Sequence, residues 1–258
     1  MLTKYVSGLL VMAGAWAIAQ QTSDSHLAQL YYNSRVASEE LPSVGKSSPQ
    51  TPNKSRPAAV SHFGLRYNLV LFNQSTRRFE LVPSDRNFRA GDCLAIDFDS
   101  NRSGYLYVLA QQSSGFWKPL LPSPKMPEES NVLNPGRKTR VPKGYCYIIK
   151  DPPGTEKWFV ILSRDPSDIY KLHEAINHYS EPQPDAVPET GGQTLQIAGL
   201  VKNEVARFGK QAENRDTDIL KISEPLKAQE PAHSVYVVNK SNKPFFTLVT
   251  EIEVRHHR

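Results

Sequence analysis

Residues 93–110 read CLAIDFDSNRSGYLYVLA, and this stretch decides the fold class. Residues 93–99 alternate between apolar and more polar side chains, which is the period of a strand with one dry and one wet face. Residues 105–110 are apolar on both parities, as expected of an interior strand covered on both faces. The polar, glycine-ending segment 100–104 predicts a turn between the two strands.

Further strands flank this stretch on both sides. Residues 65–72 alternate, and after the turn chemistry of residues 73–76 the alternation resumes at residues 79–81, which predicts a hairpin. Other predicted strands lie at residues 145–149, 158–162, 235–238 and 245–254. We expect the last two to form a hairpin that pairs back into the main sheet. Many short strands with glycine, proline and asparagine turns favour an antiparallel β-sandwich or a partly open barrel.

Two helices are predicted between these strands. Asp165 can cap a helix whose first residue is Pro166, and apolar residues then recur at helical spacing. Thr194 can cap a second helix with a similar apolar stripe. The predicted fold class is therefore mainly β (α+β), with a helical insertion at about residues 165–212 before the C-terminal strands.

The N-terminus has the pattern of a signal peptide. Lys4 precedes an almost uninterrupted apolar run over residues 5–18, and small residues stand before Gln20, where cleavage is expected. The alternative is an uncleaved anchor, but about 14 apolar residues are fewer than the roughly 20 that a spanning helix needs. No later stretch is long and apolar enough to span a bilayer. We expect an exported mature chain without a transmembrane segment, in the periplasm or outside the cell.

A segment rich in proline and serine follows. Residues 38–61 contain four prolines and six serines and little to bury, which is typical of an extended, mobile linker. A short helix is predicted ahead of it from Leu27, Leu30, Tyr31 and Val36. The predicted organisation is a signal peptide at residues 1–19, a flexible segment at residues 20–62 and a single β-rich domain at residues 63–258.

Composition limits the classes of function. The 258 residues include 31 Lys and Arg and 26 Asp and Glu, a net charge of +5, and 39% are hydrophobic, which excludes disorder throughout. The positive charge is spread along the chain, so we expect no nucleic-acid partner. Two cysteines are too few for a disulfide-dense miniprotein or a structural zinc site.

Several motifs together match one known family. They are Phe88, Gly91 and Asp92; residues 104–109 and 113–115; Leu121 and Pro122; and residues 152–164. With these motifs and the C-terminal runs VYVVN and LVTEIEVRH, the chain resembles a bacterial exported family called domain of unknown function 4384, over about residues 65–165 and 235–256. That family has no established catalytic residue, and its members often accompany caspase-like peptidases, kinases or repeat modules. The resemblance implies an accessory or sensing role by analogy.

Cys93 and Cys146 stand where that family more often has polar or aromatic residues. Both fall on predicted strands that the family order implies are in one sheet system, and an exported chain meets an oxidising compartment. We therefore favour a disulfide, which would close a loop of 53 residues. The chain-entropy estimate for such a loop is about 4 kcal/mol of stabilisation. The alternative is two unpaired thiols.

The sequence lacks the local signatures of common catalytic sites. No HExxH, GxSxG, GxxxxGKS/T or paired CxxC motif occurs. His173 and His178 would point in different directions on a helix, and the neighbours His256 and His257 would face opposite sides of a strand. We expect these histidines to be exposed, and we predict no enzyme, no cofactor and no metal. A Ser, His and Asp set assembled from distant positions is the alternative that leaves an enzyme possible.

Polar and glycine residues of the motifs have structural interpretations. Asp97 and Asp99 share the wet face of one strand and could hold a cation, although a solvated face is the favoured interpretation. Gly104 and Gly115 are expected at turn positions with positive φ. Asp92 is expected to accept hydrogen bonds from nearby backbone amides in a turn.

The central region is rich in aromatic residues, and Trp117 and Tyr107 are the two candidates for a binding role. Trp117 lies between two turns, so we expect its ring to be partly exposed and available to a partner or a sugar face. Some of the central rings must be core, because interior strands need bulk, and core packing is the favoured interpretation of the Trp117 ring over this exposed one.

The sequence thus predicts an exported, non-enzymatic accessory or interaction domain of the cell envelope with an envelope protein as partner. A module that binds a glycan or another small ligand is the first alternative. It predicts a shallow groove with Trp117 or a tyrosine on its floor. An enzyme with a spatially assembled site is the second alternative, and it requires a pocket that holds at least two mutually bonded titratable residues.

Overall fold

The computed structural model of the chain describes residues 28–35, 62–123, 131–150, 152–164, 170–179, 197–203, 217–221, 233–239 and 247–257. The predicted signal peptide, the predicted linker at residues 38–61, and both predicted helix caps lie outside these residues. The organisation predicted for the N-terminal part therefore stays a prediction.

Strands dominate the described residues. They are β1 (Gly64–Asn73), β2 (Arg78–Val82), β3 (Asn87–Arg89), β4 (Cys93–Ser100), β5 (Gly104–Gln111), β6 (Trp117–Leu121), β7 (Val132–Leu133), β8 (Thr139–Val141), β9 (Tyr147–Ile148), β10 (Gly154–Ser163), β11 (Thr217–Lys221), β12 (Val235–Asn239) and β13 (Thr247–His257). The helices are α1 (28–33), α2 (Tyr170–Asn177) and α3 (197–203).

These strands form two sheets. The first sheet has the order β11-β12-β1-β4-β8, with β2 also paired to β1 and β9 to β4. The second has the order β3-β13-β10-β5-β6, with β7 also paired to β5. Every pair is antiparallel except β13 with β3, which is parallel. The sheets do not close into a barrel, so the predicted mainly β (α+β) sandwich is confirmed.

The main hydrophobic core lies between the two sheets. Side chains of one parity from strands of both sheets meet there, including Leu94, Ile96 and Phe98 of β4 and Trp158 of β10. The outer faces are also covered in part. Helix α1 packs on the first sheet through Tyr31, and α2 and α3 pack on the second sheet. Strand β5 is consequently buried on both faces, as its apolar run predicts.

The predicted C-terminal hairpin is wrong. Val235–Asn239 (β12) belongs to the first sheet and Thr247–His257 (β13) to the second. Strand β12 already has β11 on one side and β1 on the other, so no edge is left for β13. No strand was predicted at β11 (Thr217–Lys221), which takes the place beside β12 that the hairpin would need. The hairpin of β1 with β2 is confirmed, with Phe72 opposite Phe79.

The two motif glycines serve different purposes. Gly115 has a φ of +87° in its turn, as expected. Gly104 is not among the residues with positive φ in the described chain, so that expectation is wrong. A Cβ atom on Gly104 would lie 2.7 Å from Cδ1 of Leu162 on the neighbouring strand β10. Gly104 is therefore needed for close packing of a side chain against the backbone.

Candidate functional site

A groove of about 370 Å³ lies between β6, at one end of the second sheet, and β9, which pairs with β4 in the first sheet. One wall comes from β6, which carries Lys118 and Leu120. The other wall is the segment 142–150, which contains β9. Tyr179, just after α2, contributes a third side. The volume is within the usual range for ligand sites, roughly 300–1,000 Å³.

The segment 142–150 is fastened to the start of β4 by a disulfide. Cys146 is bonded to Cys93, with Cα atoms 5.3 Å apart, so the predicted bridge is present. Backbone hydrogen bonds add to it, because the Gly91 N–H donates to the Ile149 carbonyl (2.9 Å) and the Ile149 N–H donates to the Asp92 carbonyl (2.9 Å). This wall of the groove is therefore held by one covalent bond and by β pairing.

Two large apolar side chains of this wall face solvent. Tyr145 is 43% exposed and Ile148 is 45% exposed, whereas Tyr147 between them is buried. The predicted strand 145–149 is shortened to Tyr147–Ile148, because residues 142–145 bend ahead of it and Gly144 adopts a φ of +76°. Sequence reasoning did not single out Tyr145 or Ile148. The only available signal was an aromatic and an aliphatic residue next to a cysteine on a short edge segment.

A buried polar cluster lies behind the groove-lining Tyr147. The Tyr147 hydroxyl accepts a hydrogen bond from Nε2 of Gln112 (2.9 Å), and its ring packs edge-on against Trp158 at 4.9 Å between centroids. Nε1 of Trp158 donates to Oε2 of Glu156 (3.1 Å), and Nε2 of His256 lies 3.9 Å from Oε1 of the same carboxyl group. Tyr147 and Glu156 also share a hydrogen bond.

Burial raises the pKa of two members of this cluster. It raises the pKa of Glu156, which is 1% exposed, although hydrogen bonds from Trp158 and Tyr147 and the charges of His256 and Lys118 oppose the shift. Burial, followed by the nearby Glu156 charge, raises the pKa of Tyr147. Neither ring nitrogen of His256 has a hydrogen-bond partner among the described residues. The expectation of an exposed His256 is wrong, because its parity on β13 is that of the inward-facing Ile252 and Val254.

The two aromatic residues that the sequence predicted for binding lie elsewhere. The ring of Trp117 is 3% exposed and stacks on Phe159 at 5.1 Å between centroids, so the expected partial exposure is wrong. Tyr107 is buried, its hydroxyl is hydrogen bonded to Nδ1 of His173 (3.1 Å), and burial raises its pKa to about 12. Both rings belong to the cluster beneath α2 and α3, which explains why the turns around Trp117 do not expose it.

The two aspartates on the outer face of β4 are buried rather than solvated. Asp97 and Asp99 are each 4% exposed, so the solvated-face interpretation is wrong. Arg140 of β8 donates to both carboxylate oxygens of Asp97 (2.7 and 2.9 Å). Arg35, just after α1, does the same for Asp99 (3.0 and 2.8 Å), and Arg66 adds a third bond (2.8 Å). The cations these carboxylates hold are three guanidinium groups and, at 3.6 Å from Asp97, the ammonium group of Lys138.

Neither a cluster of metal-ligand residues nor a candidate membrane-spanning helix occurs among the residues that the structure describes. In those ranges, no group of three His, Cys, Asp or Glu side chains converges as metal ligands do. No helix in the same part of the chain combines the length and the hydropathy that crossing a bilayer demands. The predicted turn role of Asp92 is confirmed, because its Oδ2 accepts a hydrogen bond from the Arg89 N–H (2.9 Å).

Comparison with known families assigns part of the chain. The family model of DUF4384, a domain of unknown function, matches residues 87–166, which confirms the resemblance of the motifs within these residues. The matched segment runs from β3 to β10 and includes every groove-lining residue named above except Tyr179. No curated protein and no solved structure matches the chain.

Proposed function

We propose that this chain, which carries a DUF4384 domain at residues 87–166, is an exported, non-enzymatic interaction domain of the bacterial cell envelope and binds a protein partner through the groove. One observation carries the proposal. Tyr145 and Ile148 expose large apolar side chains on a wall that a disulfide fixes in place. Exposed aromatic and aliphatic side chains that border a concave surface are typical of contact sites.

The rigidity of the wall supports a binding role. Association costs less when the contact residues are already ordered, because fewer rotamers and backbone states are lost on binding. The disulfide of Cys146 and the pairing of Tyr147 with Leu94 provide that order before any partner arrives. A wall that is already ordered therefore costs less free energy to bind than a flexible loop in the same place would.

Export rests on two features of different kinds. The pattern of residues 1–19 is that of a cleaved signal peptide. The disulfide suits an oxidising compartment, where such bonds persist. N-terminal sequencing of the protein recovered from the native host tests the proposal. We expect a mature N-terminus at Gln20, and a protein that retains Met1 would contradict export with cleavage.

The absence of enzymatic activity is proposed from accessibility. Glu156, the carboxyl group behind Tyr147, is 1% exposed and accepts a hydrogen bond from Trp158, so it is closed to solvent. An enzyme would need a pocket that holds two bonded titratable groups. Of the pair Tyr147 and Glu156, only Tyr147 is among the described residues that line the groove. The variant Glu156→Gln distinguishes an interaction domain from an enzyme. An interaction domain should keep its affinity for the partner when this carboxyl group is replaced.

A module that binds a glycan or another small ligand is the second candidate. The burial of Trp117 removes the residue first expected to carry it. Tyr145 remains as an exposed ring at a groove of about 370 Å³, which is the observation that keeps this candidate. It predicts that envelope glycan fragments, and not a protein, protect Tyr145 from chemical modification.

Photo-crosslinking in the native host tests the protein-partner proposal. A photoreactive phenylalanine analogue is placed at position 145 or, as a matched control, at position 170. Tyr145 and Tyr170 are similarly exposed, at 43% and 46%, but Tyr170 lies on α2 and does not line the groove. We expect one protein to be captured repeatedly from position 145 and not from position 170. The same products from both positions, or none from either, would overturn the proposal.

A further inference from the structure

We infer that the groove selects a peptide segment that combines an apolar side chain with a carboxylate. The inference rests on the proposed function, since it names the chemistry of the protein partner at the same groove. Its observations are the charges that line the groove, the apolar side chains that line it with them, and the backbone groups at the two neighbouring strand edges.

The charges that line the groove have one sign. Lys118 on β6 and Lys150 at the end of the opposite wall are its charged residues, and no Asp or Glu is among the described residues that line it. Lys150 is exposed and Lys118 is half-buried. Charges arranged in this way select a partner of opposite sign, because a like charge brought between them would be repelled.

The remaining lining of the groove is mainly apolar. Leu120 and Pro142 line the groove together with the exposed Tyr145 and Ile148. A site of about 370 Å³ is near the lower end of the range for small ligands, roughly 300–1,000 Å³. It therefore fits a few side chains of a partner, and not a large folded surface.

Recognition through side chains follows from the strand edges at the groove. Strand β6 contains Pro119, which has no N–H to donate to an added strand. Strand β9 has only two residues, Tyr147 and Ile148. Neither edge offers the row of backbone groups that strand addition requires. The affinity of a bound segment must come from its apolar side chain, and its selection from its carboxylate.

Fluorescence anisotropy with the full chain and two labelled peptides tests the inference. The probes are acetyl-Asp-Leu-Phe-Leu-Asp-amide and acetyl-Asn-Leu-Phe-Leu-Asn-amide, which differ only in charge. We expect the acidic peptide to bind about 10-fold tighter at low salt, and the advantage to shrink at high salt. Equal affinities, or no binding of the acidic peptide, would overturn the inference.

Three variants locate the effect. The double variant Lys118→Gln, Lys150→Gln should remove the preference for the acidic peptide, and Tyr145→Ser should weaken both peptides alike. Lys157→Gln is the matched control, because Lys157 is half-exposed on β10, is paired with Glu251 (2.9 Å) and does not line the groove. A control variant that loses the preference to the same extent would contradict the inference, because it would indicate a response to net charge.

Three outcomes separate this inference from the proposed function. A protein captured from position 145 that binds equally well to the double lysine variant would leave the interaction domain standing and overturn the carboxylate preference. Anionic phospholipid vesicles that displace the acidic peptide and bind tighter than it does would show a membrane surface as the occupant, which also overturns the inference. Loss of capture at position 145 would overturn the proposed function itself.

Discussion

Cys146 on the wall of the groove is bonded to Cys93 at the first position of β4, and the bridge spans 53 residues of chain. The same bond therefore joins the fold to the candidate site. Between the two cysteines lie β5 to β8 and most of the groove. Loss of the bond is expected to affect both stability and binding.

The double variant Cys93→Ala, Cys146→Ala tests the contribution to stability. Without the cross-link the unfolded chain gains conformational freedom, which corresponds to about 4 kcal/mol for a loop of 53 residues. Urea unfolding followed by circular dichroism measures the loss. Wild-type protein with a reducing agent should match the variant. A free energy of unfolding that is unchanged in both cases would contradict a structural disulfide.

The ion pairs of Asp99 fasten α1 to the first sheet. Asp99→Asn leaves the guanidinium groups of Arg35 and Arg66 without their countercharge in a largely buried place, and we expect a loss of about 3 kcal/mol. Arg35→Ala is the matched control. The Arg35 side chain is 32% exposed, so its removal should cost no more than about 1 kcal/mol. Chemical denaturation distinguishes the two, and an equal cost would contradict this account of the buried carboxylate.

Glu156 should make stability depend on pH. Because burial raises its pKa above the ordinary value of 4.5, the folded protein holds the proton more tightly than the unfolded chain does. The contribution of Glu156 is therefore full at acid pH and is lost as the pH rises from 4.5 through the raised pKa. Glu156→Gln cannot ionise, so its stability relative to wild type should increase from pH 4 to pH 7. A difference that stays constant or decreases over this range would contradict the assignment.

Gly104 is expected to be sensitive to the smallest substitution. A Cβ atom there would lie 2.7 Å from Cδ1 of Leu162, so Gly104→Ala should cost about 1–3 kcal/mol through overpacking. Gly199→Ala is the control, since nothing lies within 4 Å of that position in α3. It should stabilise the protein by up to about 1 kcal/mol through helix propensity. Thermal unfolding gives both values, and a Gly104→Ala variant as stable as wild type would contradict the close approach.

Strand identity was predictable from the sequence, and strand pairing was not. Alternation and apolar runs come from local burial, so β1, β4, β5 and β10 carry their signal within a few residues. The partner of a strand depends on the chain that folds beside it. The wrong C-terminal hairpin shows this, because β11 takes the place next to β12.

Burial was the second quantity that local patterns could not give. The turns on either side of Trp117 suggested an accessible ring. Helices α2 and α3, which begin more than 50 residues later in the chain, cover that face of the sheet. Asp97 and Asp99 occupy the parity that is usually solvated. Arginines from three other segments neutralise them and make their burial favourable. The groove residues gave the weakest signal, because an exposed Tyr145 is distinguished only by the fold around it.

The central claim is that the protein works by presenting the groove to a protein partner. The most direct test is the Kd of the partner captured from position 145, measured by calorimetry for wild type, Tyr145→Ser and Tyr170→Ser. All three proteins should have the same thermal stability, since both side chains are exposed. We predict an affinity about 10-fold or more weaker for Tyr145→Ser and unchanged for Tyr170→Ser. Equal affinities for the three proteins would contradict the account.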